Sequence, residues 1–153
     1  MHLTQSTDLG LRVLMLLGAS DERRSAAELA ERLQAAPQHM AKIVQRLRKH
    51  GWVETARGRS GGVVLAPGAT DASVGAIVRA LEGPGEVVDC DGPPCPLRGA
   101  CRLRGALRTA QEAFLASLDQ VLLGDLVTGP AGQVLLSLAS PAPPVTFPPE
   151  KGP

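Results

Sequence analysis

Apolar residues recur at helical spacing through the first third of the chain and predict three helices. Residues 3–18 are apolar on nearly every face, which indicates a helix buried on most sides and ended by Gly18. A capping box at 25–28 (Ser-Ala-Ala-Glu) opens a second helix. Pro37 stands at the favoured first position of a third helix, which ends near Gly51 because glycine readily takes the left-handed cap.

The third helix has one apolar face and one face rich in basic and amide side chains. Two short helices joined by a tight turn, with such a face on the second, are typical of the helix-turn-helix that enters the major groove of DNA. A strand at 52–57, a basic hairpin tip at 58–62 and a returning strand at 63–65 add a wing. We interpret the following side chains as base-edge, phosphate or minor-groove contacts: Gln38, His39, Lys42, Gln45, Arg59 and Ser60.

The second half of the chain is predicted to hold a short helix, a cysteine-rich loop and a long helix. The short helix covers 73–81 and ends at the glycines and proline of 83–85. From Arg102 onward, one row of positions follows spacings of four and three residues: Leu103, Leu107, Ala110, Phe114, Ser117 and Val121. This row is a coiled-coil seam and predicts a two-fold homodimer. Packing within a single chain is the alternative.

These elements define a fold that is mainly α with a small β-hairpin wing: a winged helix-turn-helix plus a long dimerisation helix. We divide the chain into a winged helix-turn-helix domain (1–68), a short helix with the cysteine loop (69–101), a dimerisation helix region (102–127) and a tail (128–153). Seven of the thirteen prolines fall in the tail. We therefore expect the tail to be disordered or loosely packed on the surface.

The distribution of charged and aromatic residues indicates the kind of partner that the chain binds, whereas the net charge of +1 alone does not. Between residues 42 and 59 there are six basic side chains against one acidic side chain, which indicates a surface that faces phosphates. One Trp, two Phe and no Tyr leave little surface for stacking splayed bases, which favours double-stranded DNA over single-stranded RNA. No run spans a bilayer and no secretory signal is visible, so we expect a cytoplasmic protein with no membrane partner.

All three cysteines lie within the twelve residues 90–101, separated by three prolines and two glycines. The odd number of thiols disfavours a disulfide framework, and their polar surroundings disfavour buried structural thiols. Thiolates at short spacing are the ligands that soft metals need, so the loop predicts a zinc or iron–sulfur site. The loop supplies three ligands, and spacing alone does not choose the fourth among His2, His39, His50 and the carboxylates.

These motifs resemble those of the NsrR-type nitric-oxide-sensing repressors, a branch of the iron–sulfur winged-helix regulators that also includes the IscR type. The resemblance runs from residue 1 to about 127. It is carried by Leu-Thr-Gln-Ser-Thr-Asp-Leu-Gly-Leu-Arg at 3–12 and the wing Arg-Gly-Arg-Ser-Gly-Gly at 57–62. It is completed by Val-Asp-Cys at 88–90, which leads into Cys-Pro-Leu-Arg-Gly-Ala-Cys at 95–101.

The resemblance implies a homodimer with crossed long helices and a cluster held in each loop by Cys90, Cys95 and Cys101. In the actinobacterial branch an aspartate of the first helix reaches the cluster of the opposite subunit as fourth ligand, which implies that role for Asp8. The residue pattern alone gives Asp8 another role, a carboxylate in the first turns of a helix with Arg12 four residues later. The gap between Cys90 and Cys95 is one residue shorter than the family pattern, so the cluster nuclearity and the fourth ligand stay open.

The function that the resemblance implies is a transcriptional repressor and not an enzyme. Its cluster, a [4Fe–4S], would hold two winged helices at the half-site spacing of double-stranded operator DNA, and nitric oxide would release them. A regulator of the IscR type that reports redox or cluster status with [2Fe–2S] is one alternative. The other comes from a different class, an iron–sulfur electron-transfer or carrier protein whose basic wing binds an acidic partner.

Overall fold

The computed structural model describes residues 2–56, 58, 61–90, 92 and 94–139. Within these residues the chain forms seven α-helices, one short 3-10 helix (Ala69–Asp71) and one antiparallel pair of strands. In chain order the elements are α1 (Gln5–Gly18), α2 (Ala26–Arg32), α3 (Pro37–Lys49), β1 (Val53–Ala56), β2 (Gly62–Leu65), α4 (Val74–Glu82), α5 (Arg102–Leu118), α6 (Leu123–Leu126) and α7 (Gly129–Ala139). The mainly helical fold with a small β-hairpin is therefore confirmed.

α1 is the central helix of the winged-helix half. Thr4 caps its first turn by accepting a hydrogen bond from the Thr7 amide at 3.2 Å. Its apolar residues enter one core with residues of α2, α3, α4 and the hairpin, and Val13, Leu14, Leu29, Met40, Leu47 and Ile77 are fully buried there. Burial of each such side chain contributes about 1.5–3 kcal/mol, so this core fixes α3 against α1.

The turn between α2 and α3 gives the helix-turn-helix its shape. The capping box predicted at 25–28 is present, with Ser25 and Glu28 bonded to each other's amides at 3.1 and 2.6 Å. Gln34 takes a positive φ of 51°, and the Ala35 amide donates to the Ala30 carbonyl at 2.8 Å. α2 thus ends in a left-handed residue, which lets Pro37 start α3 after a short turn.

The hairpin is a wing braced on the loop before α2. β1 pairs with β2 in antiparallel register, Val53 opposite Leu65 and Thr55 opposite Val63. Val63 also exchanges two backbone hydrogen bonds with Arg24, of 2.7 and 3.0 Å, which form an isolated antiparallel bridge beside the sheet. The wing is therefore held by backbone bonds on both sides of β2.

α5 is attached to the winged-helix half through α4. Arg79 on α4 donates to both carboxylate oxygens of Asp119 at 2.6 and 2.7 Å, and the Ser73 hydroxyl donates to the same carboxylate at 3.3 Å. The pKa of Asp119 lies below its ordinary value because Arg79 donates these bonds. Gly75 makes room for this contact, since a Cβ there would lie 2.1 Å from Asp119 Oδ1.

Two elements of the C-terminal part differ from the sequence prediction. α5 ends at Leu118, three residues before the last predicted seam position Val121, and a turn leads into the short α6. Residues 129–139 form α7, which packs on α1, where the sequence predicted a disordered or loosely packed tail. The remainder of that tail, 140–153, lies outside the described residues. Among the described helices, none combines the length and apolarity that crossing a bilayer demands.

Candidate iron–sulfur centre and DNA interface

Cys90, Cys95 and Cys101 line one cavity of about 410 Å³ beside the N-terminus of α5. All three are free thiols; Cys95 is exposed, and the other two are half-buried. Cys101 directly precedes the first residue of α5, where the helix dipole favours negative charge. The three cysteines that the sequence predicted as ligands thus line the same cavity.

Successive turns set the path of the loop between these thiols. The Arg98 amide donates to the Cys95 carbonyl and the Ala100 amide to the Leu97 carbonyl, each at 3.1 Å. Gly99 has a φ of 95°, which an L side chain rarely adopts. Upstream, the Asp89 carboxylate accepts the Gly92 amide at 2.8 Å and closes another turn. Asp91 and Pro93 lie outside the described residues.

The remaining wall of the cavity is strongly basic. Its polar lining comes from four arginines: Arg98, Arg102, Arg104 and Arg108. Arg104 also pairs with Glu86 through two bonds of 2.8 and 3.0 Å, which ties α5 to the segment that enters the loop. Bound thiolates and sulfides carry net negative charge, and nearby guanidinium groups offset it. Three soft donors on a basic cavity fit an iron–sulfur cluster.

In the part of the chain that the structure describes, no three Cys, His, Asp or Glu side chains gather where a single ion could be bound. A tetrahedral zinc site needs four ligands around one point.

Asp8 does not line its own chain's cysteine cavity. Its carboxylate is 47% exposed and bonds Arg12, with Oδ2 2.9 Å from Nη2 and Oδ1 3.1 Å from Nε. This is the i,i+4 pair that the residue pattern indicates. Within one chain the structure therefore does not bring Asp8 to the three cysteines.

The histidines offered as alternative fourth ligands also lie apart from the cysteine cavity. His39 Nε2 lies 2.9 Å from the Ser6 hydroxyl oxygen, and the His50 ring stacks on Trp52 with centroids 5.1 Å apart. His2 lines a different cavity, between α4 and α5. None of the three lines the cysteine cavity.

α3 presents the polar face that the sequence predicted. Gln38, Lys42 and Gln45 are exposed along it, while Met40 and Ile43 face the core. Since the exposed residues lie three or four positions apart, they follow one stripe of the helix. His39 is half-buried and bonded to Ser6 on α1, so its side chain points toward α1 rather than along that stripe.

The tip of the wing is only partly described. Gly58 has a φ of 105°, and its carbonyl accepts the Gly61 amide at 2.9 Å. The predicted DNA contacts Arg59 and Ser60 lie outside the described residues, as does Arg57. Their roles stay predictions.

Sequence reasoning missed the contacts that two polar residues make at the C-terminus of α4. Arg46, placed by the sequence pattern on the open face of α3, donates a hydrogen bond to the Leu81 carbonyl on α4 instead. Glu82 Oε1 accepts the Thr4 amide at 2.8 Å and the Thr4 hydroxyl at 3.1 Å. The flanking position of Arg46, three residues after the buried Ile43, is the one signal that sequence offered.

Comparison with known proteins identifies relatives over nearly the whole chain. The Rrf2 family model, described as iron-dependent transcriptional regulator, matches residues 3–129. The HTH-type transcriptional repressor NsrR of Streptomyces coelicolor is 53% identical over 142 residues, which cover 90% of this chain and 96% of the relative. The HTH-type transcriptional regulator NsrR of Geobacillus kaustophilus is 42% identical over 132 residues, covering 83% and 90%.

Solved structures show the same fold. Staphylococcus aureus CymR superposes with a TM-score of 0.64 at 24% identity, over 82% of this chain and 98% of that one. IscR of T. potens gives a TM-score of 0.65 at 22% identity, over 83% and 86%. At these identities the likeness shows the fold alone.

The relatives also decide between the functional classes. They are transcriptional regulators, so the predicted DNA-binding repressor, which is not an enzyme, is confirmed. The electron-transfer or carrier alternative has no support among them. With a family model matched from residue 3 to 129, the chain belongs to the Rrf2 family of iron-dependent transcriptional regulators.

Proposed function

We propose that this chain is a homodimeric repressor whose [4Fe–4S] cluster senses nitric oxide and controls binding to operator DNA. The observation that carries the proposal is the cavity on which all three cysteines and four arginines meet, in a chain that also holds a helix-turn-helix. The NsrR relatives and the motif resemblance support it. Reduced thiols suit the cytoplasm, where we place the protein.

Cys90, Cys95 and Cys101 would hold the cluster, and Asp8 of the partner subunit would complete it. Asp8 is half-exposed at the surface of α1 and does not line its own cavity, so any contact with a cluster has to cross between chains. A carboxylate is a harder, weaker ligand for iron than a thiolate, which makes this position the most easily exchanged.

In this arrangement the residues that bind the cluster would also fix the relative positions of the elements that carry them. The three thiolates would fix the loop that joins α4 to α5, and Asp8 would fix α1 of one subunit against that loop of the other. The cluster, when bound, supplies irons that react with nitric oxide. Once these four residues no longer bound the cluster, the two winged helices would no longer be held at half-site spacing. A change of about 3 kcal/mol in coupling would alter operator affinity roughly a hundredfold.

The dimer would form through α5. None of the 17 residues of α5 is buried within one chain, and Leu103 and Phe114 on the predicted seam are 65% and 38% exposed. Val87, Val88 and Leu122 add exposed apolar surface. A helix with so much uncovered apolar surface needs a partner, and a second copy would place two reading helices on a palindrome.

On DNA, α3 would enter the major groove and the wing would contact the adjacent backbone or minor groove. The exposed Gln38 and Gln45 suit base edges and Lys42 suits a phosphate, with Arg59 and Ser60 at the wing. His39 would act from the side of the groove, because Ser6 already bonds its ring.

The test uses the anaerobic dimer and a DNA duplex selected from random sequence by that protein. Native mass spectrometry and absorption spectra would be recorded before and after nitric oxide, with DNA retention measured on the same samples. We expect a [4Fe–4S] mass that is lost together with DNA binding. DNA binding retained after nitrosylation, or a [2Fe–2S] or zinc mass, would contradict the proposal and favour the redox-type regulator.

Asp8→Ala tests the ligand that crosses between chains. It should keep a cluster but lose operator binding at a lower nitric oxide dose, or bind about tenfold more weakly from the start. Asp21→Ala is the matched control, since Asp21 is an exposed aspartate in the turn before α2. If Asp8→Ala behaves like this control, Asp8 has only its helix-surface role with Arg12.

A further inference from the structure

The C-terminus of α4 contacts both the reading helix α3 and α1, the helix that carries the proposed ligand Asp8. The Arg46 guanidinium, on the reading helix α3, donates to the carbonyl of Leu81 in the last turn of α4. Carbonyls at a helix C-terminus carry partial negative charge and attract a cation. The next residue, Glu82, adds a full negative charge that interacts with Arg46. Arg46 is therefore held inward by α4.

Glu82 also holds the start of α1. Its Oε1 accepts both the amide and the hydroxyl of Thr4, the N-cap of α1. Asp8 lies four residues further along the same helix, in its first turn. One residue of α4 thus fixes the end of α1 that carries the proposed ligand, while its neighbour Leu81 fixes α3.

Close packing makes this junction stiff. The Leu81 side chain is 3% exposed, and a Cβ added at Gly10 on α1 would lie 2.8 Å from Leu81 Cδ1. The same Cβ would lie 3.8 Å from Leu47 and 3.9 Å from Ile43 of α3. Since packed side chains at this density transmit displacement, a shift of Leu81 moves α1 and α3 with it.

The junction continues directly into the cysteine loop. Gly83 ends α4 with a φ of 79°, and the chain then runs past Gly85, whose carbonyl accepts Gln111 of α5 at 2.9 Å. Glu86 pairs with Arg104 on the cysteine cavity. Cys90 follows four residues later.

We infer that Arg46 and Glu82 are positioning residues that transmit the state of the cysteine loop to the reading helix. Arg46 sets the orientation of α3 relative to α4, and Glu82 sets α1 relative to the same point, without either side chain touching DNA or cluster. The inference rests on the proposed function, because it concerns how operator affinity follows the cluster. The inference predicts that loss of Arg46 weakens the dependence of operator affinity on the cluster, while the chain still binds the cluster and still binds DNA.

The measurement is the ratio of operator affinities of cluster-loaded and cluster-free protein, on the duplex selected by the wild type. The wild-type ratio should be roughly one hundred. Arg46→Met, which keeps an unbranched stem of apolar atoms, should lower the ratio below about ten and retain the cluster absorbance. The salt dependence of DNA binding should not change, since no phosphate contact is lost.

Two other variants of α3 serve as controls. Arg48→Met removes an exposed arginine two positions away and should leave the ratio at its wild-type value. Lys42→Ala, at a proposed phosphate contact, should weaken both forms alike and reduce the salt slope by about one. A reduced salt slope for Arg46→Met would overturn the inference, because it would make Arg46 a phosphate contact.

Glu82→Gln is the second test, usable even where Arg46→Met fails to fold. It keeps the shape and one acceptor oxygen but removes the charge, and should lower the affinity ratio severalfold with cluster content unchanged. A wild-type ratio of one would refute the proposed function itself. A wild-type ratio near one hundred that both variants retain would overturn this inference alone and leave the proposed function standing.

Discussion

Arg46 and Arg48 lie two positions apart on α3 and have different environments. Arg48 is exposed, whereas Arg46 is half-buried and bonded to the Leu81 carbonyl. The sequence places both in one basic block, and the helical period puts Arg46 at the border between the apolar and polar faces. A long side chain at such a border can lie along either face. Only the position of α4, which is tertiary information, decides which.

Asp8 likewise shows that a sequence pattern does not reveal contacts made outside its own helix. The spacing to Arg12 predicts the ion pair that the structure contains, with 2.9 Å between Oδ2 and Nη2. Spacing within one helix carries no information about a second subunit. The proposed ligand role therefore came from the family resemblance, and it stays a prediction.

Glu82 supports a prediction about acid stability. Burial raises the pKa of Glu82, but hydrogen bonds from Thr7 and Thr4 and the charge of Arg46 outweigh this, and the pKa lies below its ordinary value of 4.5. A carboxyl group whose pKa is lower in the folded state than in the unfolded state stabilises the fold at pH values above its unfolded-state pKa. This stabilisation is lost as the pH falls through the folded-state pKa. We expect this contribution to be about 1 kcal/mol at neutral pH, because the group is only partly buried.

The check is chemical denaturation of wild type and Glu82→Gln between pH 7 and pH 3. The difference in unfolding free energy should be present at pH 7 and shrink below about pH 4.5, as Glu82 becomes protonated in the wild type. A difference that stays constant across this range would mean that the Glu82 charge contributes nothing to the junction with Thr4.

Among the elements, those with a strong local signal were predicted to within a residue or two. α3 begins at Pro37 and ends just before His50, and α2 begins behind its capping box. Each of these boundaries is set by backbone chemistry that needs no partner. β1 begins one residue later than predicted, at Val53, and ends at Ala56, whereas β2 begins one residue earlier than predicted, at Gly62.

The C-terminal elements were harder to predict because their boundaries depend on tertiary contacts. α5 ends at Leu118 since Asp119 bonds Arg79 on α4, and the Val121 carbonyl accepts the Val74 amide at 2.8 Å. α7 forms against α1, and Arg32 of α2 donates to the carbonyl of Leu138 near its end. Proline content alone pointed to a tail without regular structure, and these contacts outweigh it over 129–139.

Gly75 gives a prediction at the contact of α4 with α5. An alanine Cβ there would lie 2.7 Å from the Leu115 carbonyl and closer still to Asp119, so the end of α5 would have to shift. Gly75→Ala should lower the free energy of unfolding by about 1–3 kcal/mol despite its better helix propensity. Ala76→Ser, at the exposed neighbouring position, should change it by no more than about 0.5 kcal/mol. Denaturant unfolding of both variants measures this; a stabilised Gly75→Ala would show that the contact is loose.

For the whole molecule, the proposed homodimer depends on which surface of the chain a second copy would cover. The core residues of the winged-helix half are covered within one chain, whereas α5 has no buried residue at all. This contrast separates a domain that folds on its own contacts from a helix that needs another surface.

Phe114→Glu tests whether two chains pair through α5. In such a dimer the new carboxylate on the predicted seam would be buried against the same residue of the second chain. Loss of a central aromatic contact costs about 2–4 kcal/mol, which weakens the dimer roughly thirtyfold to a thousandfold. Sedimentation should show monomers at concentrations where the wild type is dimeric, and operator affinity should fall because two half-sites are no longer read together. Val134→Glu on α7 places the same charge at a position that is 59% exposed and should leave the dimer intact. If Val134→Glu dissociates the dimer and Phe114→Glu does not, the chains meet through α7, and pairing through α5 does not bring Asp8 on α1 of the partner subunit to the cysteine cavity.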